Sequence, residues 1–250
     1  MSNPFFSIPD LFKARRVLCV QPHPDDMDIS IGGTIKQLTA KGVDVNYLTV
    51  TDDSAGFADA VPGLRERAEI RKDEQRAAGK ILGVSGYHWL NLPDAGDWGH
   101  HEARDGIIRI IREVRPDILL TVDPNLAYEA HWDHIRTGRA AAEASLLYNF
   151  PHVASQLPDG YIPFELEAVG FVWTNNPNTV IDTSLWNDIK FEAVAKHLSQ
   201  FPETGSLEQM KAYLTYRASK DAEKLCFELG EPLKLLPPVM LHCFPEAGEF

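Results

Sequence analysis

The chain has 250 residues, 44% hydrophobic and 24% charged, which suffices for one sizeable globular core. Its 24 Lys and Arg stand against 36 Asp and Glu, a formal net charge of −12. That acidic balance argues against nucleic acid and anionic membranes as partners, because both recruit basic faces. The opening residues hold no continuous apolar run of the kind a secretory signal needs, and no stretch is long enough to span a bilayer. The cysteines, Cys19, Cys226 and Cys243, show neither the pairing of a disulfide framework nor the spacing of a thiolate metal site. Cys19 and Cys243 sit among Val, Leu and Met and are expected in the cores of strands. The expected location is cytoplasmic.

The apolar, β-branched run at 16–20 predicts a first strand, and 32–41 a first helix that stops at Gly42. A strand follows at 43–50, then a long charged helix at 64–82 with Gly83 as its stop, and a short strand at 87–90. Residues 101–114 predict an amphipathic helix closed by Pro116, 118–122 a buried strand and 132–147 the next helix. Beyond this the pattern is less regular. Strands are expected at 169–173 and 179–181, helices at 184–199 and 207–227, and a last strand at 239–243. The Pro-, Gly-, Ser- and Asp-rich segment 151–163 reads as a surface excursion. Strands and helices alternating at this spacing predict right-handed βαβ units: an α/β fold, a mainly parallel sheet flanked by helices, with all of 1–250 in one domain. In such a sheet the loops leaving the strands share one edge, where ligands bind. That edge receives 23–26, 52–56 and 125–134.

The first of those loops reads His23-Pro24-Asp25-Asp26. A polar turn with an aspartate capping the next helix would explain the carboxylates but not the histidine. Imidazole with carboxylate is a ligand set that suits zinc, and a spare carboxylate can act as a general base. The third loop ends in His131-Trp132-Asp133-His134. At a helix start, His131 and His134 share a face, so one or both could bind a metal, while Asp133 could orient a ring. Arg71 and Glu74 read by spacing alone as a solvated pair, and Asp94 as a turn aspartate. Gly32-Gly33 lacks the first glycine of a dinucleotide fingerprint, and no P-loop or nucleophile elbow is present. Among the aromatics, Trp89 and Trp173 read as core, while Trp98, Trp132 and Tyr128 are candidates to stack on a sugar ring. His242 reads as a satisfied buried histidine.

Pro22-His23-Pro24-Asp25-Asp26 followed by Gly32-Gly33-Thr34, together with His131-x-Asp133-His134, resembles the LmbE-like (PIG-L) zinc-dependent deacetylases. Arg71-x-x-Glu74, Ala77-Ala78, Leu82-Gly83 and Leu92-Pro93-Asp94 fall in register. Within that family the chain is most similar to the diacetylchitobiose deacetylases, through 122–138, Asn176 to Ser184 and 197–202. The resemblance implies a Rossmann-like fold and a Zn²⁺ held by His23, Asp26 and His134. It implies Asp25 as general base, His131 as a positively charged group beside the oxyanion, and Asp133 holding a ring in place. By the same resemblance Arg71 and Asp94 would contact sugar hydroxyls and His242 would reach the substrate, beside the stacking candidates Trp132 and Tyr128. It also implies a symmetric homo-oligomer, a trimer or hexamer. The chain departs from the pattern at Trp132 (usually Pro), Asp53 (the Gly of a Thr-Asp-Gly turn) and Met27 (commonly Glu).

The expected reaction is hydrolysis of the acetamide of an N-acetylglucosamine-type sugar, releasing acetate and an amino sugar. The competing readings are a deacetylase of a GlcNAc conjugate (thiol-cofactor precursor, lipid or antibiotic), a related amidase, and a metal-stabilised sugar-binding module. An intact Asp25 argues against the last, since binding alone needs no base beside the metal.

Overall fold

The structure is a computed structural model that describes residues 5–57, 63–201, 203 and 205–250. Pro202, where the resemblance ends, lies outside the described residues. Strand and helix alternate from the start: β1 (Arg16–Gln21), α1 (Asp26–Ala40), β2 (Asp44–Thr51), α2 (Leu64–Leu82), β3 (Gly86–Leu92), α3 (His100–Val114), β4 (Ile118–Val122), α4 (Trp132–Leu147) and β5 (Ala168–Val172). They are followed by β6 (Thr179–Asp182), α5 (Asn187–Val194), α6 (Ser206–Ala222) and β7 (Gly230–Leu236).

The strands form one sheet in the order β3-β2-β1-β4-β5-β7-β6. β1 to β5 run parallel, and β7 is antiparallel to both its neighbours. Both faces are covered. Val17 and Cys19 of β1 point into the layer of Met27, Ile35, Leu38, Ala78 and Leu82 from α1 and α2. Leu18 and Val20 point the other way, onto Ile107, Ile108, Ile111, Ala140 and Ala144 of α3 and α4. This two-faced burial is why the strands read as apolar runs rather than as alternation. Strand order reverses between β1 and β4, and the crevice outside their carboxyl ends is the ligand position of such sheets. Among the described residues no helix is long and apolar enough to cross a membrane.

Four sequence expectations need correction. The first helix begins at Asp26 rather than 32, so Asp26 is helical and not in the loop. The glycines mark a kink inside α1: Ile31 leaves the helical region (φ −132°, ψ 28°) and frees the N–H groups of Gly33 and Thr34. Both donate to the Glu231 carboxylate, at 3.1 and 2.7 Å. Lys190 bridges Glu231 to the Ser30 carbonyl. A Cβ on Gly33 would stand 2.9 Å from Thr183 Cβ, so the close approach requires glycine.

Secondly, β7 was not expected at all. Its Glu231, Pro232 and Lys234 hide the strand pattern, yet Glu231 is buried at the α1 kink and Lys234 reaches the carbonyls of Gly248 and Phe250. Thirdly, 239–243 is no strand. Pro237 and Pro238 lead into a 3₁₀ turn, Pro238–Leu241, and Cys243 is exposed at φ +62°; Cys19 alone of the two lies in the core. Finally, 184–199 is not one helix but α5 followed by a 3₁₀ turn, Leu198–Gln200.

Candidate metal centre and catalytic residues

The carboxyl ends of β1 and β4 bring the two histidine motifs face to face. The Asp26 carboxylate sits between two imidazoles, Oδ2 at 3.5 Å from His23 Nδ1 and Oδ1 at 3.3 Å from His134 Nε2. The His23 backbone N–H donates to the same carboxylate at 2.8 Å, so the tight turn before α1 fixes it. The rings of His23, His131 and His134 stand 4.7 to 5.3 Å apart, centroid to centroid.

Among the described residues the donor atoms permit three metal-binding sets, all sharing His23: with Asp26 and His134, with His131 and Asp133, or with Asp53 and Asp94. Charge compensation distinguishes them. Asp133 accepts Arg136 Nη2 at 2.6 Å and the Ala95 N–H at 2.8 Å. Asp53 is paired with Arg71, and Asp94 accepts the Ala55 N–H at 2.9 Å. Among the described residues Asp26 meets only the turn N–H and the imidazoles. His23, Asp26 and His134 are thus the set whose carboxylate is not spent on an arginine.

These residues fit a divalent cation of the zinc type. Two imidazoles and a carboxylate are its common open-site donors. His23 presents Nδ1 to Asp26 at 3.5 Å, while its buried Nε2 faces Asp94 Oδ1 at 3.3 Å and Asp133 Oδ2 at 3.7 Å, carboxylates that can orient the ring. The electrostatics agree. Burial opposes charge on His23, but Asp133, Asp26 and Asp94 outweigh it and hold its pKa well above the ordinary histidine value. Burial likewise disfavours charge on Asp26, yet the His134 and His23 rings pull its pKa down to about 2. Such a pocket draws positive charge to its centre.

Asp25, one residue before α1, lines the same cavity, whose volume is about 340 Å³. Its Oδ2 accepts Arg71 Nη2 at 2.9 Å, which leaves the other oxygen available. His131 is exposed at the cavity mouth. Partial burial and then the His23 and His134 rings hold its pKa below the ordinary value, so a permanently charged His131 is not favoured; a neutral imidazole still offers an N–H.

Arg71 is not the solvated residue that its spacing suggested. It is fully buried, and every guanidinium nitrogen has a protein acceptor: Nε at Asp53, Nη1 at Glu74 (2.8 Å), Nη2 at Asp25. It therefore positions carboxylates rather than presenting free donors to a sugar. Burial opposes its charge, but Asp25 and Asp53 outweigh burial and raise its pKa, whereas burial outweighs Arg71 at Asp53 and lifts that carboxyl to about 6. The two directions reflect one guanidinium shared by several buried carboxylates.

Asp94 lines the cavity. Asp133 is buried and ties α4 to the loop after β3 through Ala95 and Arg136. Trp98 is also buried, beneath the Arg136 guanidinium at 3.8 Å, and is unavailable for stacking on a sugar. Tyr128 and Trp132 are exposed and take no part in the cavity lining. His242 is exposed rather than buried, beside Cys243, and does not line the cavity either. Sequence reasoning missed a buried network behind the site. His197 Nε2 lies 2.8 Å from Asp28, which also accepts Tyr47 and Gln75, while His197 Nδ1 faces Arg71 Nη1 at 3.4 Å. Asp28 sits two residues beyond Asp26, and His197 opens a stretch already singled out by resemblance. Neither position carried a signal of its own.

The chain belongs to the GlcNAc-PI de-N-acetylase (PIG-L) family, whose model matches residues 18–145. It is similar to a diacetylchitobiose deacetylase of Thermococcus kodakarensis, 38% identical over 93% of this chain and 87% of that relative. A structure of the N,N'-diacetylchitobiose deacetylase of Pyrococcus horikoshii with an inhibitor is 32% identical. It superposes with a TM-score of 0.87 over 96% of this chain and 91% of that chain. More distantly, a 1D-myo-inositol 2-acetamido-2-deoxy-alpha-D-glucopyranoside deacetylase of Streptomyces avermitilis is 31% identical over 67% of this chain and 64% of that relative.

Proposed function

We propose that this protein is a zinc-dependent N-deacetylase of small N-acetylated amino sugars, N-acetylglucosamine or a short chitooligosaccharide such as diacetylchitobiose. The observation that carries the reading is the convergence of His23, Asp26 and His134, from two distant motifs, with an arginine-anchored carboxylate, Asp25, beside them. His23, Asp26 and His134 would hold the cation. When bound, it supplies Lewis acidity toward the acetamide carbonyl and acidifies water near neutral pH.

The remaining chemistry falls to side chains. Arg71 fixes one oxygen of Asp25, and the other takes the proton of the attacking water. Attack on the carbonyl carbon builds negative charge on its oxygen, and the N–H of His131, which lines the cavity, would donate to it. As the carbon–nitrogen bond breaks, Asp25 returns that proton to the leaving amine. Water has then been added across the amide, giving acetate and the amino sugar.

A conjugated N-acetylglucosamine is the second reading, supported by the Streptomyces avermitilis relative. The reading also includes a cytoplasmic, symmetric homo-oligomer, on the strength of composition and resemblance. Acetate release across N-acetylglucosamine, diacetylchitobiose and conjugated acetamido sugars, alongside metal analysis of the purified protein, tests the proposal. Release from the neutral sugars supports it. Sugar binding without acetate release, in protein carrying stoichiometric metal, overturns it in favour of a binding module.

A further inference from the structure

The wall of the cavity carries a charge arrangement that the deacetylation chemistry does not require. Asp25, Asp26, Asp53 and Asp94 line it, with Arg71 as the one permanently charged cation among the lining residues described. The Nε and Nη2 hydrogens of a guanidinium lie along one edge and grip a carboxylate or phosphate as a fork. On Arg71 that edge is divided between two of the protein's own carboxylates, Asp53 on Nε and Asp25 on Nη2. Asp25 is accounted for as the base. Asp53 is not, and it reaches Arg71 from a backbone at φ +50°, a left-handed turn that few side chains adopt without strain.

We infer that Asp53 is a specificity-determining residue: it occupies the anion-gripping edge of Arg71 and so makes the site select neutral or cationic amino sugars over phosphorylated or carboxylated ones. This rests on the reading of the cavity as a sugar site. The attractive element for an anion is neutralised, and a repulsive one stands in its place, which is how discrimination against a competitor is built. Without Asp53, the Arg71 Nε–H loses its acceptor, in a cavity that Gly56 and Gln200 also line.

The test uses the metal-loaded protein and two variants, Asp53→Gly and Asp53→Asn. Glycine accepts φ +50° freely, and asparagine tolerates it, so both are compatible with the fold. Calorimetry gives the affinities for glucosamine and glucosamine 6-phosphate, and a melting-temperature titration with inorganic phosphate gives a probe that needs no sugar. We expect the preference of glucosamine over its phosphate to fall about tenfold or more in Asp53→Gly and less in Asp53→Asn, one lost or gained charged contact being worth on that order. Inorganic phosphate is expected to stabilise Asp53→Gly at concentrations that leave the wild type unchanged. A preference ratio and a phosphate response within twofold of wild type in both variants would overturn the assignment. Failure of the wild type to release acetate from neutral sugars would instead defeat the proposed activity, while the phosphate titration still decides the role of Asp53.

Discussion

Replacing Arg71 by methionine keeps an apolar stem of similar reach and deletes the guanidinium. Three carboxylates lose their cation: Asp25 and Glu74, at 2.9 and 2.8 Å, and Asp53, in direct contact with Nε. Their side chains are only 14%, 10% and 6% exposed, so water cannot take over. Removing one partner from a buried ion cluster costs about 3–5 kcal/mol, because the charges left behind stay buried and repel. Chains of this length lose about 2–4 °C per kcal/mol, so the melting temperature should fall by roughly 6–20 °C at pH 8. A total stability of about 5–15 kcal/mol leaves the variant folded. Protonating any of the carboxylates removes repulsion, so the deficit must shrink at pH 5. Circular-dichroism melts at both pH values, with acetate release from the folded variant, measure this. A melting temperature within about 2 °C of wild type at pH 8, or a deficit that grows on acidification, would refute the central role given to this residue.

Three more outcomes are expected. Asp25→Asn keeps its place before α1 but cannot take a proton, so it should retain the metal while acetate release falls about 100- to 10,000-fold; stoichiometric metal with a near-normal rate removes Asp25 as base. Asp26→Asn deletes the one charged donor among His23, Asp26 and His134, so metal content after dialysis against a weak chelator should fall well below wild type; an unchanged content points to one of the other two donor sets. In chelator-stripped protein, Asp53 titrates at about 6 against an ordinary 3.8. Its neutral form favours folding: that contribution is complete below the ordinary value and lost as pH rises through 6. Asp53→Asn cannot ionise, so urea unfolding should show the variant gaining on the wild type between pH 4 and 7; parallel stability curves contradict this.

The sheet from β1 to β5 was legible because each of its strands is an apolar run bounded by a helix of clear period. That pattern alone sends the loops after β1, β2 and β4 to one edge. The His23 and His131 motifs could therefore be placed together before any contact was known. The errors fall where the local signal was misleading. The first helix is expected only from residue 32, but α1 runs from Asp26 through a kink at Gly32-Gly33 that Glu231 and Lys190 sustain. β7 was hidden by a proline and two charges that tertiary partners satisfy. His242 was expected to be buried and is exposed, whereas Asp28 and His197, which carried no motif of their own, form the buried support behind the site.

By itself, then, the amino-acid sequence determined the acidic character, the α/β alternation and the chemical kinds of residue gathered at the sheet edge. Hydrophobic periodicity and motif spacing act over a few residues, and these features are written at that range. Only the tertiary structure decided how the charges pair. Arg71 meets Asp25, 46 positions away, and His197, 126 positions away, while Gly33 meets Glu231 across 198. Such partners are chosen when separate helices and strands dock and exclude water, because a buried charge must then find whatever opposite charge the neighbouring element presents.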